Sequence, residues 1–401
     1  MRPSRSLAGS RPLSPARVAG GGLAALAVAM GIGRFAFTPI LPMMQADLGL
    51  SVAAGGWLAA ANYAGYLVGA LSAMALRLRP TTAIRAALAV VGLATLAMAG
   101  TTHFALWVLL RAIAGVASAW LLVFASAWCL ERLTPLGRPL LPSAVFAGVG
   151  VGIAVAGICC AALMRAEAGA PAAWGLLGVI ALGATALLWP LFAGEGSPAA
   201  PAAARRASRD RLWGADAIRL VLCYGTLGLG YIIPATFIPA MAREIVRDPA
   251  VFGLAWPVFG AAAAASTPVA ALLARALPGR RIWALSHLVL AAGVACPVVW
   301  PGIAGIIAAA LLVGGTFMVA TMTGMQEARR VGGASATVLM AALTSAFALG
   351  QIIGPLAVSA LLAARLPVSG ALLGTAALLV ASAVLLAWSS PPAPGSSQAT
   401  G

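Results

Sequence analysis

The chain has 401 residues, of which 62% are hydrophobic and only 8% are charged, and its formal net charge is +16. Soluble proteins carry about 25% charged residues, so this composition excludes a water-soluble enzyme fold, and the same apolar excess excludes a disordered chain. A protein that crosses a membrane many times remains. At about 20 residues per spanning helix, twelve helices would use nearly the whole length.

In chain order, residues 1–17 predict a cytoplasmic tail, because they are rich in Arg, Ser and Pro. The apolar run that follows continues past Arg34 to Met44, which is too long for the apolar core of a signal peptide. The apolar runs and their breakers predict spans one to twelve, at 18–46, 53–76, 82–100, 104–130, 139–164, 172–193, 216–242, 250–275, 282–299, 301–326, 333–364 and 368–389.

The polar stretch 194–215, rich in Pro, Ala, Ser and Arg, predicts a flexible cytoplasmic linker. It divides the chain into two six-helix bundles, 18–193 and 216–389, and residues 390–401 predict a second cytoplasmic tail. The arginines concentrate in alternate connections, while the remaining loops hold only Arg165, Arg243, Arg247 and Arg365. Positive residues favour the cytoplasmic side, so we expect both termini in the cytoplasm.

A sequence pI near 11.5 would indicate nucleic-acid binding in a soluble protein. Here the arginines lie between apolar runs, so membrane topology explains them and no nucleic-acid partner is expected. The five cysteines all fall inside apolar stretches without metal-ligand spacing, which predicts free thiols and no metal site. Nucleotide fingerprints and catalytic triads are also missing from the sequence, so we expect neither a cofactor nor an enzyme.

The two halves of the sequence resemble one another. In span one GRF (33–35) precedes FTPILP (37–42), and in span seven GYI (230–232) precedes ATFIP (235–239). Acidic residues close spans four and ten at matching positions, Glu131 and Glu327. Two parallel repeats joined by a linker are typical of secondary transporters.

Three segments resemble the major facilitator superfamily, and within it the YbfB/YjiJ-type bacterial transporters: GIGRFAFTPILPMM (31–44), GLGYIIPATFIPAMAR (228–243) and GQIIGP (350–355). The resemblance covers residues 18–390. It implies an all-α membrane protein with twelve transmembrane helices in two pseudo-symmetric six-helix bundles. It also implies a monomeric carrier of a small molecule in the bacterial inner membrane, working by alternating access.

The connection between spans eight and nine is similar to the gating-loop motif of that superfamily. It keeps Gly279, Arg280 and Arg281, but Ala274 lies near the place of the usual acidic residue. The connection after span two keeps Arg77 and Arg79 and lacks the acid. The resemblance implies gating roles for these residues and for Glu131 and Glu327, while the missing acids weaken the expectation of a charge relay.

Arg34 is the strongest candidate for substrate binding, because apolar residues surround it within span one. An arginine at mid-membrane costs about 2.5–3.5 kcal/mol on insertion scales. We therefore expect its guanidinium in a water-filled vestibule, facing the opposite bundle and binding an anionic group of the substrate. The alternative is that Arg34 snorkels, or bonds the backbone carbonyls of a helix broken near Pro39 and Pro42.

Further residues are expected at the same site. Asn62 and Tyr66 lie four residues apart in span two and share a helix face, Tyr231 takes the place of Arg34 in the repeat, and Thr38 belongs to the Arg34 segment. Arg111 and Gly115 resemble the superfamily's Arg-xxx-Gly pattern in span four, which implies a role in coupling or in cavity structure. For Arg111 the alternative is a membrane-surface anchor, and for the others it is hydrogen bonding between helices.

The remaining features concern packing. The glycine pairs Gly65/Gly69, Gly148/Gly152 and Gly350/Gly354 predict close helix contacts, and they could form a rocking interface between the halves. His103 and His287 are expected at surfaces or interfaces near span ends. Tryptophans near span ends, such as Trp57, Trp107, Trp174, Trp189 and Trp300, predict anchoring at the membrane–water interface.

No Asp or Glu lies well inside a span, which argues against a cationic-drug exporter and weakens proton coupling through a buried carboxylate. These features favour secondary transport of a small organic solute that is anionic or neutral. Proton coupling through the bound substrate and simple facilitation both remain open. The alternative within the same class is efflux of hydrophobic or toxic compounds. A non-transporting membrane scaffold or sensor would predict a large soluble domain or long loops, which the sequence does not contain.

Overall fold

The structure is a computed structural model, which describes residues 13–76, 78–193, 212–245, 249–363 and 368–388, with side chains left aside at 236–245, 249–255, 359–363 and 368. Span one consists of an α-helix (Pro15–Leu26), a π-helical segment (Ala27–Phe35) and a second α-helix (Phe37–Leu48). The other spans are single α-helices: span two Val52–Ala75, span three Pro80–Ala99, span four Phe104–Leu133, span five Leu140–Arg165, span six Ala170–Leu188, span seven Ala215–Ile245, span eight Pro249–Leu273, span nine Gly279–Val299, span ten Ile303–Gly332, span eleven Ala336–Ala363 and span twelve Val368–Ala387.

The described residues contain eleven stretches long and apolar enough to cross a membrane. One of them, Ile303–Val358, holds both span ten and span eleven. A 3₁₀ turn at Gly333–Ser335 separates these two helices, and Gly333 turns the chain there with φ +49°. The all-helical prediction of twelve spans is therefore confirmed.

The helix boundaries follow local signals that hydropathy alone does not show. Span one begins at Pro15, inside the predicted tail, because Ser14 accepts a hydrogen bond from the Arg17 N–H (3.4 Å) and proline suits the first turn. Span ten continues to Gly332 because its polar last turn is held by ion pairs of Glu327. Residues 1–12, 194–211 and 389–401, which include most of the predicted tails and linker, lie outside the described residues.

The helix contacts repeat between the first six and the last six spans. Span one packs on span five as span seven packs on span eleven, and span three packs on spans four and six as span nine packs on spans ten and twelve. Between the two sets of six, the main contacts join span two to span eleven and span five to span eight. The contact between the two sets of six spans is therefore made mainly by spans two, five, eight and eleven.

Spans five and eight touch backbone to backbone. A Cβ atom added to Gly150 would lie 2.3 Å from the Ala264 nitrogen and 2.5 Å from the Gly260 oxygen. One added to Gly260 would lie 2.4 Å from the Ala154 nitrogen. These glycines are needed because any side chain at either position would meet main-chain atoms that cannot move aside.

The glycine pairs expected to form a rocking interface between the halves do not do so. A Cβ atom on Gly65 would meet the Ala112 oxygen of span four, and one on Gly148 would meet the Leu23 oxygen of span one. A Cβ atom on Gly350 would lie 2.5 Å from the Gly225 oxygen of span seven. Each of these contacts lies within its own set of six spans, so that part of the prediction is wrong.

The π-helical segment of span one leaves backbone oxygens available to other helices. The Ser118 hydroxyl of span four donates to the Ala29 oxygen at 2.8 Å. Gly31 lies against the backbone of Gly152 in span five, where an added Cβ would be 2.3 Å from the Gly152 carbonyl carbon. Irregular backbone at membrane depth is tolerated where neighbouring helices bond it, and this segment carries Arg34.

Candidate functional site: two buried arginines and an aromatic cluster

Arg34 lies at the contact between the first six and the last six spans. Its residue is 3% exposed, and its Nη2 donates a hydrogen bond to the Gln351 side-chain oxygen of span eleven. Its guanidinium carbon lies 3.9 Å from the ring centre of Tyr66 and 5.8 Å from that of Phe347. Arg34 therefore faces the opposite half, as predicted, but the expected water-filled vestibule is closed by side chains in this structure.

The charge of Arg34 is not compensated by a carboxylate. Within the part of the chain that the structure describes, neither Arg34 nor Arg111 forms an ion pair. The Arg34 Nε and Nη1 atoms are buried without a hydrogen-bond partner among these residues, and so is the Gln351 Nε2 atom. Burying a charged group with unpaired donors is unfavourable, and binding of an acceptor, above all an anion, would relieve that cost.

Arg111 is not a surface anchor, because it is 3% exposed. Its Nη1 donates to the Gly33 oxygen (3.2 Å) and its Nη2 to the Arg34 oxygen (3.3 Å). Its guanidinium carbon lies 4.8 Å from the Phe37 ring centre and 5.9 Å from that of Trp174. Arg111 thus bonds the two carbonyls at the end of the π-helical segment and positions the backbone of Arg34.

The span-two residues join this arrangement in different ways. Tyr66 lies face-on to Arg34, whereas the Asn62 amide donates to the Arg111 oxygen at 3.0 Å. Gly115 permits this close contact of spans two and four, since a Cβ there would lie 2.2 Å from the Asn62 oxygen. Thr38 is exposed, and no described contact joins it to Arg34, so the structure does not bring it to the site.

Tyr231 belongs to a cluster of aromatic side chains drawn from both halves. Its ring centre lies 6.1 Å from that of Phe35 and 4.9 Å from that of Phe317 in span ten. Trp256 of span eight lies 6.5 Å from Phe35 and stacks on Phe259 at 5.3 Å. Sequence reasoning singled out Tyr231 but missed Phe35, Phe259 and Phe317, although Phe35 stands next to Arg34 in the sequence.

Two predicted gating residues of the second half, Arg280 and Glu327, belong to an ion network at one end of the bundle. Arg280 is 3% exposed, and its Nε donates to Glu327 at 2.8 Å while its Nη1 donates to Asp216 at 2.7 Å. Arg330 also pairs with Glu327 (2.7 Å), and Arg219 pairs with Asp216 (3.2 Å). Asp216 of span seven supplies the acid that the loop motif lacks, and the sequence analysis did not single it out.

The matching positions of the first half are arranged differently. Glu131 is exposed and pairs with its neighbour Arg132 at 3.6 Å, and its backbone oxygen accepts a hydrogen bond from Arg329 of span ten at 3.4 Å. Arg79 and Arg281 are exposed, Gly279 opens span nine, and Arg77 lies outside the described residues. The described ion pairs therefore differ between the two halves at this end.

His287, expected at a surface or an interface, lies at an interface between two helices. It is fully buried in span nine, where its Nε2 accepts a hydrogen bond from the Trp283 indole at 2.9 Å. An indole N–H only donates, so the His287 proton is on Nδ1, which lies 3.0 Å from the Ser382 hydroxyl of span twelve. The contact between His287 and Ser382 joins span nine to span twelve.

Comparison with known proteins agrees with this architecture. Residues 26–387 match the family described as uncharacterised MFS-type transporter YbfB. A crystal structure of the major facilitator superfamily transporter FucP in the outward conformation is similar in fold, with a TM-score of 0.71 and 15% sequence identity, over 92% of this chain and 97% of FucP. No curated protein sequence matches the chain. The chain thus belongs to the YbfB-type family of major facilitator superfamily transporters, and it is a multi-pass membrane protein, as its resemblance in sequence had indicated.

Proposed function

We propose that this transporter carries a small organic anion across the bacterial inner membrane by alternating access, with Arg34 as the residue that binds the anionic group. The moving parts in this proposal are the two six-helix bundles 18–193 and 216–389, with both termini in the cytoplasm. The observation that carries the proposal is the buried guanidinium of Arg34, which has free donors and no carboxylate partner among the residues that the structure describes.

The charge of the central residues selects for an anion. Arg34 and Arg111 are both buried cations, and arginine does not lose its proton in proteins. A cationic substrate at the centre would be repelled by both, because repulsion between like charges is strong in surroundings of low dielectric constant. A carboxylate, in contrast, accepts the paired N–H groups of a guanidinium in one plane.

The position of Arg34 also fits alternating access. Its only hydrogen-bond partner among the described side chains, Gln351, belongs to the other half. An anion that binds Arg34 competes for this contact and so interacts differently with the closed and the open arrangement of the halves. Such a difference in affinity is what a ligand needs in order to shift a conformational equilibrium.

The test is ligand-induced stabilisation of the purified protein by carboxylates and by amines of matched size. A ligand that binds the folded protein raises its unfolding temperature, and the rise increases with the ligand concentration relative to Kd. We expect stabilisation by carboxylates only. Arg34→Gln should bind carboxylates about tenfold or more weakly, as expected for a lost charge-assisted hydrogen bond.

Arg165→Gln is the matched control, because Arg165 is exposed at the end of span five and its replacement removes the same charge. It should bind as the parent protein does. Stabilisation by the amines, or carboxylate binding that survives in Arg34→Gln, would contradict the proposal.

A further inference from the structure

The site has two chemically different sides. One side is the Arg34 guanidinium, enclosed by the rings of Tyr66 at 3.9 Å, Tyr63 at 5.5 Å and Phe35 at 5.6 Å. The other side is the aromatic cluster, which begins at the far edge of Phe35. A ligand that contacts both sides must have a charged end and an apolar body.

The aromatic cluster offers faces and edges rather than polar groups. Phe317 lies 6.4 Å from Phe35, is nearly parallel to Tyr231 at 27°, and is stacked with Phe259 at 5.4 Å. These rings come from spans one, seven, eight and ten, so the cluster is shared between the halves. Flat apolar groups pack well against such a set of rings, in stacked or edge-to-face contact.

The free guanidinium donors at the polar side suit one anionic group. Two nitrogens of Arg111 are bonded to the Gly33 and Arg34 carbonyls, which leaves only its Nε without a partner among the described residues, whereas Arg34 has both Nε and Nη1 free there. A second carboxylate on the ligand would lie among the aromatic rings without a cation, which is strongly unfavourable. We therefore expect dicarboxylates to bind weakly.

Gln351 occupies the position of the ligand's anionic group. Its side-chain oxygen accepts the hydrogen bond from Arg34, but an amide is neutral and does not compensate the charge. The Gln351 Nε2 and the Trp256 Nε1 are buried donors without partners among the described residues. Donors outnumber acceptors at the centre, which fits an acceptor-only group such as a carboxylate.

The geometry points to a substrate that is a monocarboxylate with a flat apolar body, whose carboxylate displaces the Gln351 side chain from Arg34 while its body packs among Phe35, Tyr231, Phe317 and Trp256. This inference rests on the proposed function and narrows its substrate class. It assigns Gln351 as an internal competitor of the substrate and the aromatic cluster as the determinant of specificity.

The experiment compares five probes by thermal shift and by binding to the purified full chain: 3-phenylpropionate, 3-cyclohexylpropionate, propionate, succinate and phenethylamine. We expect 3-phenylpropionate to bind at least tenfold more tightly than propionate, 3-cyclohexylpropionate to lie between them, and succinate and phenethylamine not to bind. Phe317→Leu should weaken the binding of 3-phenylpropionate by about tenfold and leave that of propionate unchanged. Phe192→Leu, which replaces a buried ring packed on Trp128 outside the cluster, should change neither.

Gln351→Glu is the decisive variant, because it places a carboxylate against Arg34 within the chain. We expect it to unfold at a higher temperature than the parent without ligand and to lose 3-phenylpropionate binding by more than tenfold. A purely structural Gln351 would predict that glutamate keeps the contact and that binding survives, and this result would overturn the assignment.

The outcomes separate the two proposals. If propionate or succinate binds as tightly as 3-phenylpropionate and needs Arg34, the substrate class inferred here is wrong and the proposed anion transport stands. If none of the carboxylates binds and Arg34→Gln behaves as the parent protein does with all five probes, both proposals are overturned.

Discussion

The guanidinium of Arg111 holds the backbone from which Arg34 projects, through hydrogen bonds of 3.2 Å and 3.3 Å to the Gly33 and Arg34 oxygens. Two arginines that look alike in the sequence therefore have different roles. Two nitrogens of Arg111 bond the main chain of span one, whereas the Nε and Nη1 atoms of Arg34 have no hydrogen-bond partner among the described residues.

Arg111→Gln is expected to destabilise the protein, because a shorter neutral side chain cannot reach both carbonyls. An unsatisfied buried acceptor costs about 1–3 kcal/mol, and the displaced π-helical segment should also weaken carboxylate binding. Thermal unfolding of the purified protein measures the first effect, and ligand-induced stabilisation measures the second. Arg165→Gln again serves as the control, and unchanged stability of Arg111→Gln would refute the positioning role.

Gly150→Ala is expected to disturb the contact of spans five and eight, because the new methyl group meets main-chain atoms at 2.3 Å and 2.5 Å. Overpacking of this kind costs about 1–3 kcal/mol. Gly183→Ala is the matched control, since an added Cβ there meets nothing within 4 Å. The unfolding temperature of Gly150→Ala should fall, and that of Gly183→Ala should stay the same or rise. Equal unfolding temperatures for the two variants would contradict the close contact of spans five and eight.

Glu327→Gln is expected to lower stability, because Arg280 and Arg330 both pair with this carboxylate. Breaking a fully buried pair costs about 3–5 kcal/mol, and the loss here should be smaller because the Arg330 side chain is 51% exposed. Glu131→Gln, the exposed counterpart in the first half, should leave the unfolding temperature unchanged. The prediction fails if both variants unfold alike.

The orientation of the chain can be checked with reporter fusions. The arginine distribution predicts that both termini, the linker 194–215 and the buried ion network of Arg280 lie on the cytoplasmic side. Fluorescent protein fused to either terminus should therefore fluoresce in bacterial cells, whereas alkaline phosphatase fused at the same places should be inactive. Active phosphatase at either end would reverse the predicted topology.

The spans were predictable because each is a long apolar run, and membrane insertion depends on such runs more than on any distant contact. Arg34 could also be found, since a charge in apolar surroundings needs an explanation wherever it points. Its partner could not be found in the same way. Gln351 lies 317 positions away, and one more polar residue in a span shows nothing about which helix it faces.

The wrong prediction for two tryptophans and the oversight of Asp216 have the same cause, because the sequence does not show which helices face one another. Trp107 and Trp174 lie near span ends as interfacial residues do, but they are 4% and 2% exposed, whereas Trp57 is 69% exposed. Sequence position gives the depth of a residue and not the face of the helix on which it lies. Asp216 escaped notice for a related reason, because its partner Arg280 comes from another span and the two meet only in the folded bundle.

The glycine contact between spans five and eight has a mechanical consequence. Gly150 and Gly260 keep the two helix axes as near as main chains allow, so a tilt of one helix against the other barely alters the distance at that point. Arg165, at the end of span five, lies fifteen residues further on, about 22 Å along the axis at 1.5 Å per residue. A tilt of about 10° about the contact would displace that end of span five by about 4 Å, so a small change of angle at the glycines produces a much larger displacement at the end of the helix.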